Sequence, residues 1–191
     1  MAVENTTWRN NVWLVWFYIV FPITVLIDLQ EVIYPSSLLV PADAPLHFAY
    51  KAKQDYIAKF NDPIVQWSPE TASGHDSWMG LFMHLEFFFL LPVMIYAMYK
   101  MGIRQKGTSG PDELLFFVYA LYNALTTAVC IHDTFYWDKT IWADESQLWT
   151  LRSAYYAPFV FIPLLGAFDM GSRILSRFKA ADAAAESKKA E

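Results

Sequence analysis

Apolar residues fall into four long runs, separated by polar stretches of unequal length. The first extends from about Val12 to Ile33 and is closed by Pro35. The second covers about Trp78 to Tyr99 and ends at Lys100 and Gly102. The third covers about Glu113 to Phe135, and the fourth about Leu148 to Phe178. A helix that crosses a bilayer needs about 20 mostly apolar residues. The pattern therefore predicts an all-α protein, a bundle of four transmembrane helices. Trp or Tyr stands near at least one end of every run, among them Trp8, Trp78, Tyr99, Trp137 and Trp149. Such side chains anchor helix ends at membrane interfaces.

The polar connections differ in kind. Tyr34 to Ser77 is a long loop between the first and second spans, broken at its start by Pro35, Pro41 and Pro45. Within it, Leu46 to Phe60 alternates Phe48, Ala52 and Ile57 with Lys51, Lys53 and Asp55, which predicts a short amphipathic helix stopped by Pro63. A loop of this length in a bundle serves as a functional lid or as a cap. The second connection is short and rich in glycine, and the third is acidic and rich in Trp. The Ala, Glu and Lys composition after Ala180 predicts a disordered tail. The expected organisation is a membrane domain over 1–179 and a tail over 180–191.

Composition narrows the class. The chain has 191 residues, of which 55% are hydrophobic and 18% aromatic, more aromatic than a soluble domain requires. The net charge of -5 and the absence of a basic stripe argue against a nucleic-acid partner. The single cysteine, Cys130, excludes an internal disulfide and reads as a small buried hydrophobe. Met1 to Asn11 lacks the features of a cleavable signal, so the first span is expected to be retained.

Charge also suggests an orientation. With four spans both termini share a side, and Arg9, Lys100, Arg104, Lys106, Arg173, Arg177, Lys179, Lys188 and Lys189 would fall there. Only Lys51, Lys53, Lys59, Lys139 and Arg152 fall opposite. Basic residues favour the cytosolic side, so both termini are expected in the cytosol and the long loop in the lumen. The sole N-glycosylation sequon, at Asn5, would then stay bare. Lys188 and Lys189 stand fourth and third from the end, the spacing of a dilysine signal for retrieval to the endoplasmic reticulum.

Two carboxylates lie inside apolar runs, Asp28 in the first and Glu86 in the second. A charge within a span costs about 3 kcal/mol or more and is a candidate functional residue by default. At about 1.5 Å per residue, Asp28 lies roughly 8–9 Å from the loop-side end of its span and Glu86 roughly 12 Å. Thr126 and Thr127 in the third span, and Tyr155 and Tyr156 in the fourth, fall at a similar level. These side chains are expected to share an interior cavity. Two carboxyls close together in a dry site hold one proton between them, which suits a single cationic amine. Pro22, Pro92, Pro158 and Pro163 each strip a backbone bond inside a span, as broken helices that line cavities do. Phe87, Phe88, Phe89, Leu90, Phe159 and Phe161 are the available walls. His84 points away from Glu86 on a helix. No zinc spacing, phosphate loop or nucleophile elbow is present, and no cofactor or metal is expected.

Several of these residues form a recognisable set. Pro22-Ile23-Thr24 with Asp28-Leu29-Gln30, Phe60-Asn61-Asp62-Pro63 with Gln66, Leu85-Glu86 with Leu91-Pro92, Thr126-Thr127, and Tyr156-Ala157-Pro158 with Ile162-Pro163 occur in this order. The set resembles the sigma-2 receptor family, whose EXPERA domain is shared with emopamil-binding protein. The resemblance implies a ligand cavity open toward the membrane, residence in the endoplasmic reticulum and a homodimer. It implies binding of sterols and cationic amphiphiles, and a part in sterol and lipid transport or handling among membrane lipid. By position, Asp28 resembles the carboxylate that pairs a ligand amine, and Glu86 its hydrogen-bonded neighbour. Asp62 resembles a structural carboxylate, and Thr127 and Phe159 resemble pocket walls. Glu31 stands where relatives carry a small apolar residue. Related isomerases carry a His one turn before the glutamate. Here that position is Phe82, so no catalysis is expected. The alternatives are an isomerase-like enzyme and an adaptor or quality-control factor that aids mitochondrial precursor targeting.

Overall fold

The computed structural model describes residues 7–68, 77–105, 107–138 and 145–190, and no strand occurs among them. Four helical stretches are long and apolar enough to cross a membrane: Trp8–Asp28, Trp78–Ile103, Gly110–Asp133 and Glu145–Lys189. The first is α1 (Thr7–Ile23) and a wide π turn (Thr24–Asp28), followed by the short α2 (Gln30–Ile33). The loop contains α3 (His47–Phe60). The second span joins α4 (Ser77–Leu85), a π turn (Glu86–Leu90), α5 (Leu91–Ala97) and a second π turn (Met98–Ile103). The third is α6 (Gly110–Asp133). The fourth joins α7 (Glu145–Thr150), a π turn (Leu151–Tyr156) and α8 (Ala157–Ala190).

Local sequence explains where these helices start and stop. Pro111 opens the first turn of α6, where its missing N–H costs nothing. Ser109 caps that turn, and Asp112 reaches back to the Ser109 N–H at 2.6 Å. The α3 helix ends at Asn61, whose φ of 45° is the left-handed conformation asparagine tolerates. Its N–H closes on the Ile57 carbonyl at 2.7 Å.

The prolines act through the wide turns. The turn Glu86–Leu90 directly precedes Leu91-Pro92, and Leu151–Tyr156 directly precedes Ala157-Pro158. Widening the turn accommodates the ring and the lost hydrogen bond. Pro22 instead sits one residue before the end of α1, with the wide turn following it. Pro163 lies within α8 without a break.

Three expectations need correction. Leu29 (φ -91°, ψ 12°) breaks the first run, so its continuous helix ends at Asp28 and not at Ile33. The tail expected to be disordered continues α8 to Ala190. Its Ala, Glu and Lys are strong helix formers, and residues 181–189 are exposed all round, so propensity and continuity with the span hold it without packing. Of the proposed aromatic wall, Phe88 is 71% exposed and Phe161 also faces outward, on the lipid side of a spanning helix. Asn5, Lys106 and Lys139 lie outside the described residues.

The apolar core occupies the middle of the bundle, where Phe17, Val20, Leu90, Met94, Phe116 and Ala167 meet. The α6 and α8 helices pack closely through small residues, as membrane helices do: a Cβ on Gly166 would lie 3.7 Å from Ala120 and 3.5 Å from the Trp13 ring.

At the end that carries both termini, buried charges answer one another. Asp169 accepts from Arg9, from Trp13 Nε1 at 2.7 Å and from Arg173 Nη2 at 2.6 Å. Arg173, 6% exposed, also donates to Asn10 Oδ1 at 2.6 Å and Thr108 Oγ1 at 3.2 Å. Thr108 donates to Glu113 Oε1 at 2.9 Å, and Arg177 grips both oxygens of Glu113 at 2.6 and 2.9 Å. Lys100 pairs with Asp112, which also accepts from Tyr96 at 2.6 Å. Side chains from all four spans are thus tied together near one face of the membrane.

Candidate functional site

At the other end the four spans part around a cavity of about 390 Å3. Every span contributes to its walls, and so does the loop: Ala52 and Tyr56 from α3, and Ile64, Val65 and Trp67 from the segment after it. The loop is therefore a cap that forms part of the chamber wall. Trp67 lies against Gly80, where an added Cβ would stand 3.2 Å from the indole.

Asp28, Glu86, Thr127, Tyr155, Tyr156 and Phe159 all line this cavity. Their helix rotations were not readable from spacing, and for Asp28, Glu86, Tyr155 and Tyr156 wide turns contribute to them. Asp28 is the last residue of its π turn, Glu86 the first of its own, and Tyr155 and Tyr156 the last two of theirs. A π turn shifts the residues on either side of it around the helix axis, and such turns recur at functional sites. Asp28 is the last residue of its span, so it lies at the span's end and not roughly 8–9 Å inside it, and it shares the cavity wall with the cap residues Ala52 and Tyr56.

Glu86 accepts a hydrogen bond from Thr24 Oγ1 at 3.4 Å. Asp28 is a second carboxyl in the wall of the same cavity. The cap helix α3 packs against the turn that ends at Asp28, and the Lys53 ammonium on that helix is bonded to Glu31 Oε1 at 3.2 Å.

Asp62 is completely buried under the cap. It accepts from Tyr56 at 2.8 Å, Tyr156 at 2.7 Å, and the backbone N–H groups of Ile64 at 2.9 Å and Val65 at 3.4 Å. Burial pushes its carboxyl above the ordinary range, against the hydrogen bonds, which pull it down. Burial, then the neighbouring carboxylate, likewise pushes the Tyr56 phenol up. Asp62 thereby ties α3 and its following turn to the fourth span. Tyr156 has two duties, since it lines the cavity and anchors the cap.

The sequence reading missed part of the wall. On α6, Tyr119, Tyr122, Asn123 and Cys130 join Thr126 and Thr127. Their positions recur three or four residues apart, a polar stripe on one helix face that periodicity could have found. Cys130 therefore lines the chamber, where a small buried hydrophobe was expected. Thr126 donates to the carbonyls of Tyr122 and Asn123 at 3.0 and 3.1 Å. Phe82, Met83 and the cap residues gave no comparable signal. His84 lies on the outer surface, with Nδ1 donating to the Gly80 carbonyl at 2.6 Å. Among the described residues no group of three or more His, Cys, Asp or Glu could hold a metal ion. Lys188 and Lys189 are exposed in the last turn of α8.

The arrangement is a largely apolar chamber whose wall carries two carboxyls and several hydroxyls. Such a site can hold a small apolar ligand by burial and orient one polar or cationic end.

Comparison with known proteins agrees with this architecture. A family model for the EXPERA (EXPanded EBP superfamily) domain matches residues 48–170. That range includes Asp62, Glu86, Thr127, Tyr155, Tyr156 and Phe159, but not Asp28. The chain is also similar to the Efficient mitochondria targeting-associated protein 19 of Saccharomyces cerevisiae. The two are 31% identical over 127 residues, 64% of this chain and 70% of the yeast protein. No solved structure matches.

Proposed function

The chain belongs to the EXPERA family, and on that premise we propose that it binds a sterol or a cationic amphiphile in the capped chamber. Its role on this reading is in sterol and lipid handling, as a binding protein. The observation that carries the proposal is the state of the two carboxyls. Asp28 and Glu86 both line a largely apolar cavity, and among the described residues neither is hydrogen-bonded to a cation. Membrane helices are usually joined by hydroxyls and amides, so carboxyls left in this state suit a ligand better than a structural role. Phe82 occupies the position of the isomerase histidine and packs edge-on against Trp78 and Tyr122, which favours binding over catalysis.

Binding of one cationic amphiphile and one uncharged sterol to the purified protein tests the proposal. Asp28→Asn keeps the shape and removes the counter-ion. It should weaken the amine by about 2–5 kcal/mol, the scale for truncating one side of a buried charge pair. The sterol, which needs only a hydrogen bond, should lose far less. Equal losses for both ligands would reject the reading.

The same reading places the protein in the endoplasmic reticulum as a homodimer with cytosolic termini, retrieved through Lys188 and Lys189. Replacing both lysines by Ser should release it to later compartments, and a glycan on Asn5 would invert the orientation. A second reading is favoured by the name of the yeast relative: a part in efficient targeting of proteins to mitochondria. Import of a radiolabelled mitochondrial precursor, with and without this protein in the added membranes, separates the two. An import defect that Asp28→Asn does not reproduce would favour the second.

A further inference from the structure

Lys53 sits on the cap helix between Ala52 and Tyr56, both of which line the chamber. It does not line the chamber itself. It is 2% exposed, and its ammonium rests 3.2 Å from Glu31 Oε1. Glu31 lies three residues beyond Asp28 on α2, at the rim, with 40% of its side chain exposed. Beside the cap helix there are thus two carboxylates, Asp28 and Glu31, and one buried ammonium. The helix that carries Lys53 packs against the turn that ends at Asp28, yet the hydrogen bond its ammonium makes is to Glu31.

A buried ammonium needs a carboxylate partner. Without Glu31, the carboxylate left for the Lys53 side chain is Asp28. The flexible lysine stem lets the ammonium move toward it, and Asp28 would then be neutralised by the protein itself. We propose that Glu31 is a specificity-determining residue: by holding Lys53 at the rim, it leaves Asp28 as the unpaired anion of the chamber and selects ligands that carry a protonated amine. Glu31 acts only through Lys53, since it does not line the cavity. The inference rests on the ligand reading above and adds its selectivity.

The test uses the full chain in detergent, with a radiolabelled tertiary-amine amphiphile and an uncharged 3-hydroxysterol as probes. The proteins are wild type, Asp28→Asn, Glu31→Gln, Lys53→Met and the Glu31→Gln/Lys53→Met double variant. Glu31→Gln should weaken the amine about ten- to a hundredfold, the effect of one unit charge a few ångströms away, and shift the sterol by no more than about twofold. Lys53→Met should tighten the amine. The double variant should bind the amine at least as well as wild type, a rescue that a merely structural tie would not show. The proposal is overturned by an unchanged amine affinity in Glu31→Gln, by equal losses for both probes, by weaker amine binding in Lys53→Met, or by no rescue in the double variant. Because Lys53→Met carries its own prediction, a Glu31→Gln protein that fails to fold does not shield the proposal. Wild type without Asp28-dependent amine binding defeats the ligand reading and this inference together. Asp28-dependent binding that is indifferent to Glu31 and Lys53 defeats this inference alone.

Discussion

At the terminal end of the bundle, Asp169 is surrounded by Arg9, Arg173 and the Trp13 indole, and Glu113 is gripped by Arg177. At the loop end, Asp28 and Glu86 face an open chamber, and the bond either makes to a neighbour is the 3.4 Å contact from Thr24 to Glu86. Both ends take carboxylates out of water, and desolvation opposes folding in each case. The terminal end recovers that cost from fixed counter-charges on other spans. The loop end leaves it unrecovered in the chain alone. A charge matched inside the protein holds helices together. A charge matched by nothing inside the protein is available to a ligand. All four spans contribute side chains to the terminal network and to the chamber wall, so the two ends of the same helices divide the tasks of cohesion and binding.

The largest expected effect probes the cohesive end. Asp169→Ala strands Arg9, Arg173 and the Trp13 N–H, and should destabilise the protein by about 3–5 kcal/mol, the cost of breaking a buried pair on one side. Thermal unfolding in detergent reads it. Asp28→Asn, by contrast, should leave stability unchanged or raise it, since it removes an unmatched charge. Comparable losses in the two variants would collapse the distinction between the ends.

Asp62 sharpens the comparison, because it is a loop-end carboxylate with a cohesive duty. Asp62→Asn keeps one acceptor oxygen and turns the other into an NH2 donor, so either the two phenols or the two backbone N–H groups lose their acceptor, and the cap should be destabilised by about 1–3 kcal/mol. Loss of hydrogen-exchange protection confined to residues 56–67 is the expected signature, and protection unchanged there would exclude the anchoring role. Its pH dependence has a defined sign. The folded protein holds the Asp62 carboxyl above its ordinary range, so its contribution to stability is complete below about pH 4, the unfolded value. That contribution is lost as the pH climbs through the raised folded value. Midpoints of unfolding measured across that range should fall in wild type and fall less steeply in Asp62→Asn.

The smallest effect concerns the seat of the cap. Gly80→Ala would place a Cβ 3.2 Å from Trp67 Cζ2, tight enough to shift the indole by a few tenths of an ångström. A loss of about 1 kcal/mol, the low end for overpacking, is expected, with ligand on-rates rising as the cap loosens. An unchanged on-rate would show that Trp67 seals nothing.

Much of this protein was legible without coordinates. The four spans, the amphipathic helix near Leu46 to Phe60 and the similar depth of Asp28, Glu86, Thr127, Tyr155 and Tyr156 all follow from local quantities. Membrane insertion sums over residues along one helix, and a carboxylate in an apolar run stands out whatever packs beside it. Other features depend on which residues from distant parts of the chain meet. Arg9, Arg173 and Arg177 read in the sequence as orientation charges, and the fold turns them into the ties at the terminal end. Lys53 read as the polar face of a surface helix, and packing buries it against Glu31. Phe88 and Phe161 read as pocket walls, and helix rotation turns them outward. The π turns shift that rotation, and two of them, Glu86–Leu90 and Leu151–Tyr156, directly precede a proline. Hydropathy along the chain thus determined how many helices cross the membrane and which side chains are costly there. The tertiary structure alone decided which of those costs are matched within the protein, because pairing is a property of contacts between spans and not of position along any one of them.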